Sequence, residues 1–168
     1  FYSRLVSIAA EHGVKAILHA AGFPLRKGME AGPYLVKPDI REQAFIGNTP
    51  VSTEGEIISA GRYALDRGSE LFLVSHHVTG DILVTQDAIW EMDARVTLSE
   101  LRNLVGADDA LLAGLVYQLQ QGADLDRALR FGMATALASA EADHKLAHSR
   151  QAIDAEMDRI EVRKRSAV

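Results

Sequence analysis

The stretch "NLVGADDALLAG", residues 103–114, sets two adjacent carboxylates, Asp108 and Asp109, directly after Gly106 and Ala107 and ahead of an apolar run. Carboxylates are favoured at a helix start, where the first N–H groups lack partners and the dipole is positive. A glycine turn that opens a helix is also where proteins hold phosphate oxygens on backbone N–H groups. Two chemistries therefore compete here. One is plain capping; the other is a phosphate cradle with a carboxylate beside it as a general base.

Two further stretches carry chemistry-bearing types. "SHHVTGD", residues 75–81, joins Ser75, His76, His77, Gly80 and Asp81. Neighbouring residues of a strand point to opposite faces, so the two histidines are not expected to share one metal. "KPDIRE", residues 37–42, offers the carboxylates Asp39 and Glu42 just after a strand-like segment, where they could serve a ligand. The alternative is a strand end turned by Pro38, with Glu42 opening a helix. His12, His19, His144 and His148 show no strong ligand spacing, although His144 and His148 lie four apart and could share a helical face.

The elements that would position these groups alternate in period. "YSRLVSIAAEHG" is helix-like and stops at Gly13; "VKAILHA" is a short strand; "GFPLRKGMEAG" is loop plus helical turns; "PYLVK" is a strand closed by Pro38. "STEGEIISAGRYALDRG" has Ser52 or Thr53 as cap and Gly68 as stop. "ELFLVSH" is nearly all apolar, as in a strand buried on both faces, and "DILVTQ" with "AIWEMD" reads as a hairpin or meander turning at Asp87. Helices are expected over Asp108–Gln121, Leu125 to about Ala142 and Ser149 to about Arg163, with "RIEVRKRS" as a basic, solvated tail. Leu111, Leu112, Leu115 and Leu119 give the first of these an apolar face, while Phe72, Trp90 and Met92 read as core or rim packing. Alternating strands and helices predict an α/β domain over 1–168, a mainly parallel sheet with helices on both faces. Ligands in such folds sit beyond the carboxyl ends of the strands, where "KPD", "SHHVTGD" and "VGADD" could converge.

Composition narrows the class. The 168 residues are 48% hydrophobic and 24% charged, ordinary for a globular protein, and 18 Lys+Arg against 23 Asp+Glu give a net charge of −5. That is no footprint for nucleic acid. With no cysteine, disulfides, thiolate metal sites and a cysteine nucleophile are excluded. No apolar run approaches the ~20 residues that span a bilayer, so no membrane partner and a cytoplasmic location are expected. The first residue is not Met, which suggests a segment of something longer.

With these segments in order, the chain resembles the ribokinase-like sugar kinases of the phosphofructokinase B family, in particular the hexose-phosphate branch. "GVKAILHAAGFPLRKGMEAGPYLVKPDIRE" is similar to the family's strand, "D-x-S-G-x-x-L" segment and "K-P-N-x-x-E" motif. "LFLVSHHVTGDILV" stands where the family has "V-S-x-G-x-x-G-x-x-x-V", and "LVGADDALLAGLVYQL" where it has "T-V-G-A-G-D-x-x-x-A-G". "LDRALRFGMATALAS" resembles the following helix. The resemblance covers roughly residues 1–140 and only the carboxyl-terminal half of such a kinase.

The resemblance implies ATP-dependent phosphoryl transfer to a sugar hydroxyl. By position, Asp109 is the catalytic base, and Gly106, Ala107 and Asp108 form the anion hole. Ser75, His77 and Gly80 belong to the nucleotide loop, and Asp39 and Glu42 to the Mg²⁺–phosphate network. Four departures stand out: His19 for a common Asp, Asp39 for Asn, His77 for a glycine and Asp108 for a glycine. An anion ~4 Å from Asp108 would meet a repulsion of roughly 4 kcal/mol at an effective dielectric near 20. Two readings stay open: a hexose-phosphate kinase using ATP and Mg²⁺, or an inactive relative retaining the scaffold for binding or assembly. Nucleotide and sugar phosphate are the implied partners, with a homo-oligomer or a missing amino-terminal half as completion.

Overall fold

The computed structural model describes residues 1–40, 45–46, 49–143 and 149–167. Its contacts divide the chain into two compact units, Phe1–Glu91 with Lys164–Val168, and Met92–Arg163.

The first unit opens with helix α1 (Tyr2–Glu11), which ends as expected at Gly13 in a left-handed conformation, φ +67°. Strand β1 (Ile17–Ala20), helix α2 (Gly22–Met29) and strand β2 (Leu35–Pro38) follow. A small hairpin, β3 (Phe45–Ile46) with β4 (Thr49–Pro50), precedes helix α3 (Glu54–Leu65). Here local sequence dictates structure directly. The Thr53 side chain accepts the Glu56 N–H while the Glu56 carboxylate accepts the N–H of Thr53, a complete capping box. Strands β5 (Leu71–His77) and β6 (Gly80–Val84) then form a hairpin. The Thr85 hydroxyl and Asp87 shape the next turn, at the expected place, into β7 (Ala88–Ala94).

The sheet has the order β1-β2-β5-β6-β7-β8, with β8 at Ile160–Ser166. Pairing is parallel across β1–β2–β5 and antiparallel between β5 and β6, so this α/β sheet is mixed. The core of the first unit gathers Leu18, Val36, Ile57, Phe72, Val74, Ile82 and Val84 from strands and helices alike. Close approach depends on Gly61, where an added Cβ would lie 2.8 Å from the Val84 Cβ. As expected, Phe72 and Met92 are fully buried and Trp90 nearly so.

The second unit is built on α4 (Ala107–Gln120) and α5 (Leu125–Glu141), the latter capped by Asp124. Gly114 and Gly132 let the two helices nearly touch: a Cβ added at Gly114 would lie 3.1 Å from the Gly132 Cα. The region 149–168 differs from the expected helix and basic tail. Helix α6 covers only Arg150–Glu156, a 3-10 turn takes Met157–Arg159, and Ile160–Ser166 is strand. The reason is the period-2 pattern of Ile160 and Val162 between charged residues, which suits an edge strand. Its arginines find partners across the sheet: Arg163 bonds Asp93 at 2.7 Å, and Arg165 bonds Glu91 at 2.9 Å and also Glu54. Among the described residues, no helix is long and apolar enough to cross a membrane.

Candidate functional site

At the centre of the first unit lies a buried charge. Lys37, on β2, is 1% exposed, and burying an ammonium is costly unless it is paired and hydrogen-bonded. Its Nζ donates to the Ser75 Oγ at 2.8 Å, and that hydroxyl in turn donates to the Asp81 Oδ1 at 2.8 Å. The Asp81 carboxylate is also 3.7 Å from the ammonium and 8% exposed as a residue. The strand register produces this arrangement, because Ser75 and Asp81 are cross-strand partners of β5 and β6. On the other side, the His19 Nδ1 lies 2.9 Å from the Lys37 carbonyl, which can only accept, so Nδ1 carries the proton. Sequence reasoning singled out Ser75 and the motif of Lys37 but assigned no role to Asp81. Its one available signal was an acidic residue opening the otherwise apolar strand "GDILV".

The histidine pair corrects an expectation. A register irregularity between Ser75 and His77 breaks strict alternation at the end of β5. The His76 and His77 rings consequently lie side by side, centroids 3.9 Å apart, rather than on opposite faces. Even so, no group of three or more His, Asp or Glu side chains arranged to hold a metal occurs among the described residues. Gly80 begins β6 and is buried. Asp39 follows β2, its N–H bonded to the Ala20 carbonyl at 2.9 Å. Glu42, His144 and His148 lie outside the described residues.

In the second unit, Gly106 is the N-cap of α4 at φ +81°. A Cβ there would meet nothing within 4 Å, so glycine serves the left-handed backbone, not space. Asp108 and Asp109 both lie in the first turn. Asp108 needs no unusual backbone: among the described residues only glycines have positive φ. The loop before the helix closes on itself. The Val105 N–H donates to the Asn103 Oδ1 at 3.0 Å, and the Ala107 N–H donates to the Leu104 carbonyl at 3.1 Å. The tight turn has thus taken up the Ala107 N–H, and an anion at this helix start must compete with a carbonyl for it. The side chains of Leu104 and Val105 are exposed.

Two exposed carboxylates away from these groups titrate lower than usual. The Thr97 hydroxyl and N–H hold Glu100 below the ordinary carboxylate range, and the Thr53 N–H does the same for Glu56.

Comparison with known proteins accords with this architecture. The model for the pfkB family carbohydrate kinases matches residues 2–145. A 1-phosphofructokinase of Borreliella burgdorferi is 28% identical over 135 residues, which are 80% of this chain and 44% of that protein. A D-tagatose-1-phosphate kinase of Bacillus licheniformis is 33% identical over 134 residues, 79% of this chain and 43% of its own length. Among solved structures, a protein described as a possible 1-phosphofructokinase of Thermotoga maritima superposes with a TM-score of 0.84 at 28% identity. The superposition covers 96% of this chain and 51% of that one. The chain thus spans about half the length of the relatives it matches. Its α/β fold is ribokinase-like, and the chain belongs to the pfkB family of carbohydrate kinases.

Proposed function

We propose that this chain is the nucleotide-side, carboxyl-terminal portion of an ATP-dependent hexose-phosphate kinase. Asp109 accepts the proton of a sugar hydroxyl as its oxygen attacks the γ-phosphorus, and the bond from that phosphorus to the ADP oxygen breaks. The observation that carries the reading is the start of α4: a left-handed Gly106 cap followed by Asp109 in the first turn, within a family-matched span. Such a helix start favours anionic oxygens through its dipole and its N–H groups. Ser75, His77 and Gly80 belong to the nucleotide side, and Asp108 stands beside the transferring phosphoryl. Mg²⁺ fits the donor chemistry in a limited way. It takes one or two protein carboxylates together with waters and phosphate oxygens, and Asp39, with Glu42, is the set this chain offers. When bound, the ion neutralises charge on the phosphates.

Sugar binding falls to protein outside this span, since the relatives are about twice as long. An apolar row along α1 and the residue that caps it supports a covering partner: Phe1, Leu5 and Ile8, at one-turn spacings, are 90%, 48% and 41% exposed. The occupant we assign is the amino-terminal half of the fold, with a second copy of this chain as the alternative outcome. The test is an ADP-release assay with fructose 1-phosphate and tagatose 1-phosphate, run on the chain alone and on the chain mixed with the amino-terminal half of a 1-phosphofructokinase. No turnover is expected alone, and turnover that Asp109→Asn abolishes is expected in the mixture. Turnover undiminished in Asp109→Asn sinks the assignment of the base; a mixture that neither associates nor turns over sinks the half-kinase reading.

A further inference from the structure

The Lys37–Ser75–Asp81 network has a stoichiometric consequence. A serine hydroxyl holds one proton, and Ser75 gives it to Asp81 while accepting from Lys37. An ammonium and a hydroxyl 2.8 Å apart are the donor pair that would clasp an oxyanion. Here that pair already holds one, the Asp81 carboxylate, whose Oδ1 is 2.8 Å from the hydroxyl and 3.7 Å from the ammonium. Of the three residues Ser75 alone is only partly buried, and it stands two residues before the exposed His77, where β5 turns into β6.

We infer that Asp81 is an internal anion that occupies an oxyanion subsite formed by Lys37 and Ser75, and that it competes there with phosphate. The ligand class is a phosphate group, free or at the end of a nucleotide. An incoming phosphate must displace the carboxylate from Ser75 and also endures its negative charge. Weak phosphate binding at this loop is thus built into β6 itself, independently of the departure at Asp108. The assignment of the phosphate to a nucleotide rests on the proposed function; competition between the carboxylate and an oxyanion does not.

The experiment compares the parent, Asp81→Ala and Asp81→Ala/Lys37→Met by calorimetric titration with inorganic phosphate and separately with ADP, at fixed ionic strength. Asp81→Ala removes the acceptor that takes the Ser75 proton and the carboxylate beside the ammonium. Phosphate should bind at least about tenfold more tightly than to the parent, a gain that Lys37→Met cancels. If phosphate binds Asp81→Ala no better, or the gain survives Lys37→Met, the inference is overturned. If ADP gains nothing while phosphate does, the oxyanion subsite stands and its assignment to a nucleotide fails. Should Asp81→Ala be unfolded in chloride, circular dichroism with added phosphate decides, read against Asp81→Ala/Lys37→Met because phosphate salts favour folded proteins in general: recovery that the double variant lacks supports the subsite, and equal recovery in both, or recovery in neither, overturns it.

Discussion

Gly114→Ala tests whether the contact of α4 with α5 is as tight as the structure has it. The new Cβ would lie 2.4 Å from the Thr135 Oγ1, 3.0 Å from the Thr135 Cβ and 3.1 Å from the Gly132 Cα. Rotating Thr135 away relieves only the first contact and sacrifices its 2.7 Å hydrogen bond to the Phe131 carbonyl, roughly 1 kcal/mol. The remaining two contacts are with less mobile atoms, so the helices must part by a few tenths of an ångström. Overpacking of this kind costs about 1–3 kcal/mol, and the better helix propensity of Ala returns about 1 kcal/mol. A net loss of about 1–3 kcal/mol is expected, read from urea unfolding followed by circular dichroism. Gly114→Ala/Thr135→Ala should be less destabilised than the two single losses added together, since it removes the closest contact. A Gly114→Ala variant as stable as the parent would refute the packing argument. Because α4 also carries Asp109, the same substitution should lower turnover of the complemented kinase more than it weakens ADP binding.

Other expectations are smaller or simpler. Thr53→Ala, which removes the cap of α3, should cost about 1 kcal/mol in urea unfolding; an unchanged midpoint would remove the capping box from the account of this helix. Glu56 and Glu100 have depressed pKa values, so their contribution is present above the normal carboxylate range and lost as pH falls through the depressed values. Glu56→Gln should therefore flatten the acid limb of the stability profile, and a limb parallel to the parent's would contradict this. Arg163→Ala should cost less than about 1 kcal/mol, with the loss shrinking in high salt, because its pairing with Asp93 is largely exposed.

What could be read from the sequence is what is decided locally. The capping box of Thr53 and Glu56, the left-handed stops at Gly13 and Gly68 and the turn at Asp87 each depend on neighbours within a few residues. The position of Asp109 in the first turn of α4 follows from the same kind of local signal. Features decided across the sheet were not legible. Ile160–Ser166 shows its period-2 pattern only at Ile160 and Val162, too briefly to outweigh charges that also suit a helical surface, and its place beside β7, with Arg163 and Arg165 on Asp93 and Glu91, is settled across the sheet. The side-by-side histidines depend on a slip in pairing that no spacing rule encodes. Asp81 reads as no more than the polar first residue of an apolar strand until Lys37, far away in sequence, is brought beside it.

The position of β8 in the sheet has a consequence for synthesis. Strand β7 ends at Ala94, but the strand that pairs with it begins only at Ile160. At ~5–20 residues per second, the ribosome needs roughly 3–13 s to make the chain between them. Throughout that interval a nascent first unit carries an unpaired strand edge with Ile89 and Trp90 at its heart, the kind of edge on which chains aggregate. The acidic Glu91 and Asp93, which later pair with Arg165 and Arg163, are the residues on hand to keep that edge soluble while it waits. Replacing them with neutral residues should therefore lower the yield of soluble protein made during translation by more than it lowers the stability of the finished fold.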